Sequence, residues 1–390
     1  MRIRWYWLGV FLVVGTAAFF FYQENQNHLT YEMADAFDGN DYIDSYAFFK
    51  GTQSNYEVAF PFNGRVLMPW LAAQIQSDYS ITDFQWLNLV FTLASVIVLF
   101  LLWRSLGFDL KWFIAGFFWL FFHWTGLIRL NAFDPISVDV PLYLFQGLFL
   151  IIILKRKFAW LLLLAPLAIA QKESFLALMI LLTAYGYWHN RKTAEGYYPM
   201  PLLLAALVLS FATKFLISHY FPPIEEGKGA LITLAYHAKK VLMDPFEIIR
   251  WLVAMFVAFG PMLFLAFGKY AQSYRYDNTR NLLLLFSLTY LAFGILAGGD
   301  MTRIIFLGFP FITTWIIFEL QETKTQQLLL IGLLSLPLML LYLPIPDPAY
   351  EWDLWKNWYP EFASPKTVLI FGFYGVVAVR IGFFKWGKSK

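Results

Sequence analysis

Aspartates recur at every third position through ADAFDGNDYIDSY, at Asp35, Asp38, Asp41 and Asp44. A helix with that spacing carries them as a stripe along one face. A carboxylate so held can take a proton from an acceptor hydroxyl, a contribution of about 10² to 10⁴ in rate. Cations stand at other apolar boundaries: Arg65 in FNGRVLMPWLA, Lys172 beside Glu173 in QKES, and Arg303 three residues after Asp300 in GGDMTR. A guanidinium grips a phosphate in bidentate fashion and stabilises the charge that develops as it leaves. Asp134 and Asp139, next to Pro135 and close before Pro141, complete the set of charges that hug an apolar run. Each has a plainer reading beside the chemical one. The stripe is also what a solvated helix face looks like, Asp134 and Asp139 also suit helix N-caps, Lys172–Glu173 also suits a polar turn, and both arginines can snorkel to headgroups.

Several chemistries are excluded or unsupported. The chain has no cysteine, so disulfides, zinc thiolates and cysteine nucleophiles are absent. His28, His123, His189, His219 and His237 are scattered at spacings that match no metal-ligand pattern, and no Walker loop, GxGxxG or GxSxG occurs. Hard oxygen ligands suit Mg²⁺ or Mn²⁺, so the acid cluster leaves a divalent cation open without requiring one.

The elements that must position these groups follow from composition. Of 390 residues, 59% are hydrophobic and 14% charged, against about a quarter charged in soluble domains. Unbroken runs such as Leu161 to Leu164 and Leu282 to Leu285 exclude a barrel, whose strands alternate over about ten residues. Runs near 5–22, 84–103, 112–130, 138–154, 158–171, 174–188, 199–218, 247–268, 281–297, 303–319, 327–344 and 366–383 predict an all-α, polytopic membrane protein with about twelve transmembrane helices. The fifth and sixth are short, and ten or eleven spans result if they are broken or re-entrant. No repeat or linker divides the chain, so residues 1–390 read as a single transmembrane domain.

Charge sets the sidedness. With an N-terminus inside, most of the 29 Lys/Arg and few of the 26 Asp/Glu fall on the inner side, including Lys155, Arg156, Lys157 and the basic C-terminal tail. Positive-inside bias therefore predicts both termini inside, with the first run an uncleaved anchor. Three outer loops result, at residues 23–83, 219–246 and 344–365. The first carries the aspartate stripe and is expected to be helical. The second contains Ala230 to Met243, whose apolar positions share a face as in an interfacial helix. The candidate charges all fall on the outer side.

A site of outer-facing acids and cations at lipid-headgroup level suits a sugar linked to lipid through phosphate. The motifs carry a resemblance of the same kind. DGNDY at Asp38 to Tyr42, followed by FNGRVLMPWLA, resembles the DGxxY … R-[IV]-L-x-P-x-L-A beginning of bacterial multi-pass glycosyltransferases of the GT-C superfamily. GGDMTRIIFLGFP resembles their late D-x-x-R … P segment, and QKES is similar to a K/R-E pair between middle helices. These islands cover roughly a tenth of the chain. The resemblance implies a GT-C-like helical bundle in the cytoplasmic membrane, a polyprenyl-phosphate-linked sugar donor, and transfer, by inversion, to a glycan, lipid or protein acceptor on the outer face. Carried over, Asp38 is the acid-base residue, Arg65, Lys172 and Arg303 are phosphate or loop contacts, and Asp300 partners Arg303; Glu173, Asp134 and Asp139, singled out by their place beside apolar runs, are expected to support the site. Membrane lipids are expected partners and nucleic acid is not. The chain departs from better-known members in lacking a large soluble outer domain, and in having Asp41 and Asp44 after Asp38, which leaves the base open among the three. A secondary transporter, a lipid-linked polysaccharide polymerase or ligase, and a noncatalytic scaffold are the competing readings.

Overall fold

Each of the twelve apolar runs contains helix in the computed structural model, which describes residues 3–33, 38–75, 77, 79–193, 196–224, 229–272, 277–341 and 343–387, without the side chains of Glu32, Ala230, Leu231 and 384–387. No strand occurs among the described residues. In chain order the helices are α1 (Tyr6–Asn25), α2 (Gly39–Lys50), α3 (Leu67–Ala73), α4 (Ser80–Ser105), α5 (Leu110–Phe122), α6 (Arg129–Phe133), α7 (Val140–Leu154), α8 (Leu161–Gln171), α9 (Ser174–Thr193), α10 (Met200–Tyr220), α11 (Ala230–Met243), α12 (Phe246–Gln272), α13 (Asn278–Leu296), α14 (Met301–Leu307), α15 (Phe309–Leu320), α16 (Thr325–Met339), α17 (Pro348–Trp358) and α18 (Pro365–Gly387).

Among the described residues six helices, α1, α4, α10, α12, α13 and α18, are long and apolar enough to cross a membrane. The pair α14 and α15 passes the same test jointly but bends by 69°, while α5, α7, α8 with its preceding turn, and α16 are apolar and shorter. The chain is a polytopic helical membrane protein. Breaks account for the short elements. The run 112–130 ends its helix at His123, where the backbone turns extended, and the run 303–319 bends at Gly308, with Pro310 in the first turn of α15.

Contacts divide the chain into two units, one formed by Met1–Thr30, Leu99–Phe133 and Ala230–Lys390, the other by Tyr31–Val98 and Asp134–Gly229. In the first, α12 packs against α18, α14, α15 and α16. It is broken at Gly260, whose φ is 62°, a left-handed conformation open to glycine. A Cβ there would also lie 2.7 Å from Ser335 Oγ. The break frees carbonyls that lipid cannot satisfy. His123 Nε2 donates to Val257 O at 3.0 Å and Trp119 Nε1 to Ala258 O at 2.8 Å. Buried Arg129 similarly donates to the carbonyls of Phe122, Met339, Leu340 and Leu343 at 2.7–3.1 Å, holding the end of α16 where Leu340 takes a φ of 49°.

In the second unit α8 packs on α7, α9 and α10, and α3 joins α2 to α8. Helix α2 buries Gly39, Tyr42, Ser45 and Tyr46, positions that fall on one helical face. It stops at Gly51, whose φ of 78° returns its N–H to the carbonyls of the last turn. At its C-terminal end Lys50 Nζ donates to Tyr46 Oη and Ser77 O, and Tyr46 donates to buried Asp83 of α4 at 2.7 Å. These bonds fasten α2 to the start of α4.

Candidate functional site

The second unit gathers most of the sequence-predicted charges at the end where α7 begins and α8 and α10 finish. Asp35 lies outside the described residues. Asp38 occupies the N-cap position of α2, with Asp41 and Asp44 one and two turns further on, and all three are half-buried. Gly39 lets this end approach Tyr31, because a Cβ at position 39 would come within 2.2 Å of the Tyr31 ring. Tyr31 is itself fixed: its hydroxyl donates to Asp134 Oδ1 at 2.7 Å and accepts from Ile136 N at 2.9 Å. Asp134 thus anchors the ring on which α2 starts.

Arg65 closes the turn after the short helical segment Phe62–Gly64. It is buried and forms a two-pronged pair with Glu173, from Nε to Oε2 at 3.0 Å and from Nη2 to Oε1 at 2.8 Å, while Nη1 donates to Tyr42 Oη at 2.8 Å. Burial disfavours charge on both partners, but the pairing wins. Burial pushes the Glu173 carboxyl up, and Arg65, with help from Lys172, more than reverses this and holds it down at about 2. For Arg65 burial again opposes the charge, and Glu173, Tyr42 and Asp38 together keep the guanidinium well above its ordinary value. Lys172 Nζ meets Asp139 Oδ1 at 2.7 Å, with Asp139 almost fully buried. Asp139 stands at the N-cap position of α7, yet its side chain makes no cap bond; its carboxylate instead serves Lys172.

The three acids of α2 differ in surroundings. Asp41 Oδ1 accepts from Ala59 N at 2.8 Å. Burial raises the Asp41 carboxyl, the Ala59 bond opposes this, and the charge of Asp38 adds to it. Asp44 is raised first by burial and then by the charges of Asp41 and Glu57. Asp38 lies within electrostatic reach of both Arg65 and Tyr42. Among the described residues no three His, Asp or Glu side chains are grouped to hold a metal ion.

Beside the charged pairs lies an open apolar hollow of about 290 Å³, lined by Phe49, Val66, Leu67, Trp70, Ala170 and Phe221. Its walls belong to the segments that carry the charges. Val66 follows Arg65, Ala170 precedes Lys172 by two residues, and Phe49 is on α2.

Asp300 and Arg303 belong to the first unit and pair with each other at 3.3 Å across the first turn of α14. Glu361, which the sequence reading passes over, receives Thr302 N on Oε1 and Thr302 Oγ1 on Oε2, both at 3.1 Å. Burial pushes its carboxyl up to about 8, against those hydrogen bonds and with the charge of Asp300 adding to the rise. A lone acid in the aromatic loop YPEFASP is the signal that pointed to it. Tyr31, likewise unread, had no local signal, since its partner is more than a hundred residues away.

No protein-family model, curated protein or solved structure matches this chain.

Proposed function

We propose that the protein is a multi-pass glycosyltransferase of GT-C type that moves a sugar from a polyprenyl-phosphate-linked donor to a glycan, lipid or protein acceptor at the outer face of the cytoplasmic membrane. About twelve spans with both termini inside belong to this reading, with the shorter apolar helices and α9 counted beside the longer ones. One observation carries it. Half-buried acids, two buried or half-buried cation–carboxylate pairs and an apolar hollow share the same segments of one unit. An apolar chain ending in phosphate needs such a neighbourhood, with the sugar beyond the phosphate facing the acids.

In this reading Asp38 takes the proton of the acceptor hydroxyl as its oxygen bonds to the anomeric carbon. The bond from that carbon to the phosphate oxygen breaks, and its electron pair leaves with the polyprenyl phosphate. Attack opposite the leaving group inverts the anomeric centre. Arg65 and Glu173 hold Tyr42, and through it α2, in register with the loop that carries Arg65. Asp300 and Arg303 are assigned a donor contact through the motif resemblance.

Mass spectrometry of the lipid fraction, after the purified protein is incubated with polyprenyl-phosphate sugars and candidate acceptors, tests the reading. Sugar-depleted polyprenyl phosphate is expected to accumulate, and Asp38→Asn to slow this by about 10² to 10⁴ while the lipid still binds. If Asp38→Asn retains the wild-type rate and Asp41→Asn or Asp44→Asn does not, the base lies further along α2.

The broken α12 and the bent pair α14 and α15 favour a second reading, a secondary transporter, since such breaks commonly hold the transported ion. At Gly260, however, the freed carbonyls meet His123 and Trp119. Solute uptake by proteoliposomes without sugar transfer would select the transporter.

A further inference from the structure

In the first unit an open apolar groove of about 610 Å³ runs between α12 and α18. The two helices lie side by side and run the same way, with Gly372 beside Val253, Gly375 beside Phe256 and Gly382 beside Leu265. No side chain at Gly372 or Gly375 enters the groove, which lies between Phe256 and Phe264 of α12 and Phe373 and Val376 of α18. Phe373 is 73% exposed and Val376 68%, so hydrocarbon has to cover them in a membrane. Among the described residues Arg380 is the one charged side chain that lines the groove. It is exposed, and among the described residues it has no hydrogen bond or ion pair. Leu369 and Arg380, both in the lining, are eleven residues apart on α18, a rise of about 17 Å. Half of a hydrocarbon core of about 30 Å is about 15 Å. The groove is therefore one leaflet deep, and its cation stands in the last turn of the apolar stretch Pro365–Phe383, at headgroup level.

We propose that this groove holds one acyl chain of an anionic glycerophospholipid whose phosphate meets Arg380. Depth and charge together select the occupant. A guanidinium that no carboxylate holds is open to donate two parallel bonds to a phosphate. From Val368 onward the sequence has Arg380, Lys385, Lys388 and Lys390 and no Asp or Glu. Basic residues gathered at the end of a span favour a net anionic lipid over a zwitterion. The second acyl chain stays in the bilayer. The lipid so held is distinct from any sugar donor, and the site stands whether or not the transferase reading does.

Native mass spectrometry of the full-length protein, delipidated in detergent and titrated with dioleoyl phosphatidylglycerol or dioleoyl phosphatidylcholine, tests the site. Wild type should bind one phosphatidylglycerol more tightly than phosphatidylcholine. Arg380→Ala should weaken phosphatidylglycerol about fivefold, as loss of one cation at an anionic headgroup requires. Lys366→Ala, at the other end of α18, should leave it unchanged. Gly372→Leu, whose Cβ would meet Val253 at an ordinary 3.5 Å, puts a side chain into the groove. It should weaken both lipids about tenfold, the loss of about two buried methylene groups. Equal binding of the two lipids to wild type would overturn the anionic assignment. Equal losses in Arg380→Ala and Lys366→Ala would reduce the attraction to net charge and overturn the role of Arg380, and unchanged binding in Gly372→Leu would place the lipid outside the groove. Wild-type dimers that are lost in Gly372→Leu, with no lipid bound, would give the groove to a second copy of the chain and overturn the proposal as well.

Discussion

At the scale of single residues, Arg65 decides how the candidate site is built. Its guanidinium reaches both oxygens of Glu173 and the hydroxyl of Tyr42, which ties the loop after α2, the start of α9 and α2 itself together. Removing Glu173 leaves the buried guanidinium without its charge partner, a loss that reaches about 3–5 kcal/mol when both groups are fully buried and is smaller here, where the Glu173 side chain is 28% exposed. The pair also predicts a response to acid. Glu173 is held at about 2 against an ordinary 4.5, so it binds its proton more readily in the unfolded chain. The stability this contributes is complete above pH 4.5 and is lost as pH falls from there toward 2. Thermal unfolding of the detergent-purified protein across that window should therefore show wild type losing stability, while Glu173→Gln starts lower and loses less. Identical profiles would mean that the pair contributes nothing. The sequence displayed Arg65 and Glu173 as separate boundary charges, and nothing in their spacing announces a bond across 108 positions. By contrast Asp38, Gly39 and Tyr42 could be read as one local group, because a helix turn brings them together without help from the rest of the fold.

At the scale of elements, hydropathy marked where helices lie and missed where they break. The run 247–268 became a helix, but Gly260–Pro261 splits it, and Gly308 with Pro310 bends the run 303–319. Those glycine–proline signals were present in the letters. A window that averages apolarity cannot register them, since glycine and proline act on backbone torsion and on the N–H donor. The aspartate stripe is helical over α2, as its spacing predicts, although the direction of that helix depends on a contact outside any motif. Gly39 lets the first turn lie on Tyr31, which Asp134 and the Ile136 amide hold in place. Gly39→Ala would drive a methyl into that ring, an overpacking that costs about 1–3 kcal/mol. The relief available is a shift of the turn that carries Asp38. Under the proposed transferase reading, activity is thus expected to fall at least tenfold with circular dichroism unchanged. Gly9→Ala in α1, where a Cβ would meet nothing within 4 Å, should leave activity alone and stabilise the helix by up to about 1 kcal/mol. Equal activity in the two variants would separate Asp38 from the Tyr31 contact.

At the scale of the whole molecule, charge asymmetry was legible before any contact was known, and the second unit repeats it in three dimensions. Asp38, Asp41, Asp134, Asp139 and Glu173 collect where α7 begins. At the other end of α7, Lys155, Arg156 and Lys157 follow its last turn, Arg156 stacks on Tyr197 at 3.8 Å, and Arg191 and Lys192 close α9. Lys and Arg near span ends are retained on the cytoplasmic side, so the acid-rich end is predicted to face outward, as the proposed outer-leaflet donor would require. The chain is suited to a direct check because it has no cysteine. A membrane-impermeant maleimide added to intact cells should label Asn55→Cys, in the loop that follows α2, and leave Lys157→Cys unlabelled until the membrane is opened. The two residues belong to the same unit, at its acidic and basic ends, so the comparison does not depend on how many of the shorter apolar helices cross. Labelling of Lys157→Cys from outside, with Asn55→Cys protected, would invert the molecule. The acids of α2 and the hollow beside them would then face the cytoplasm, where a lipid-linked sugar presented on the outer leaflet cannot reach them.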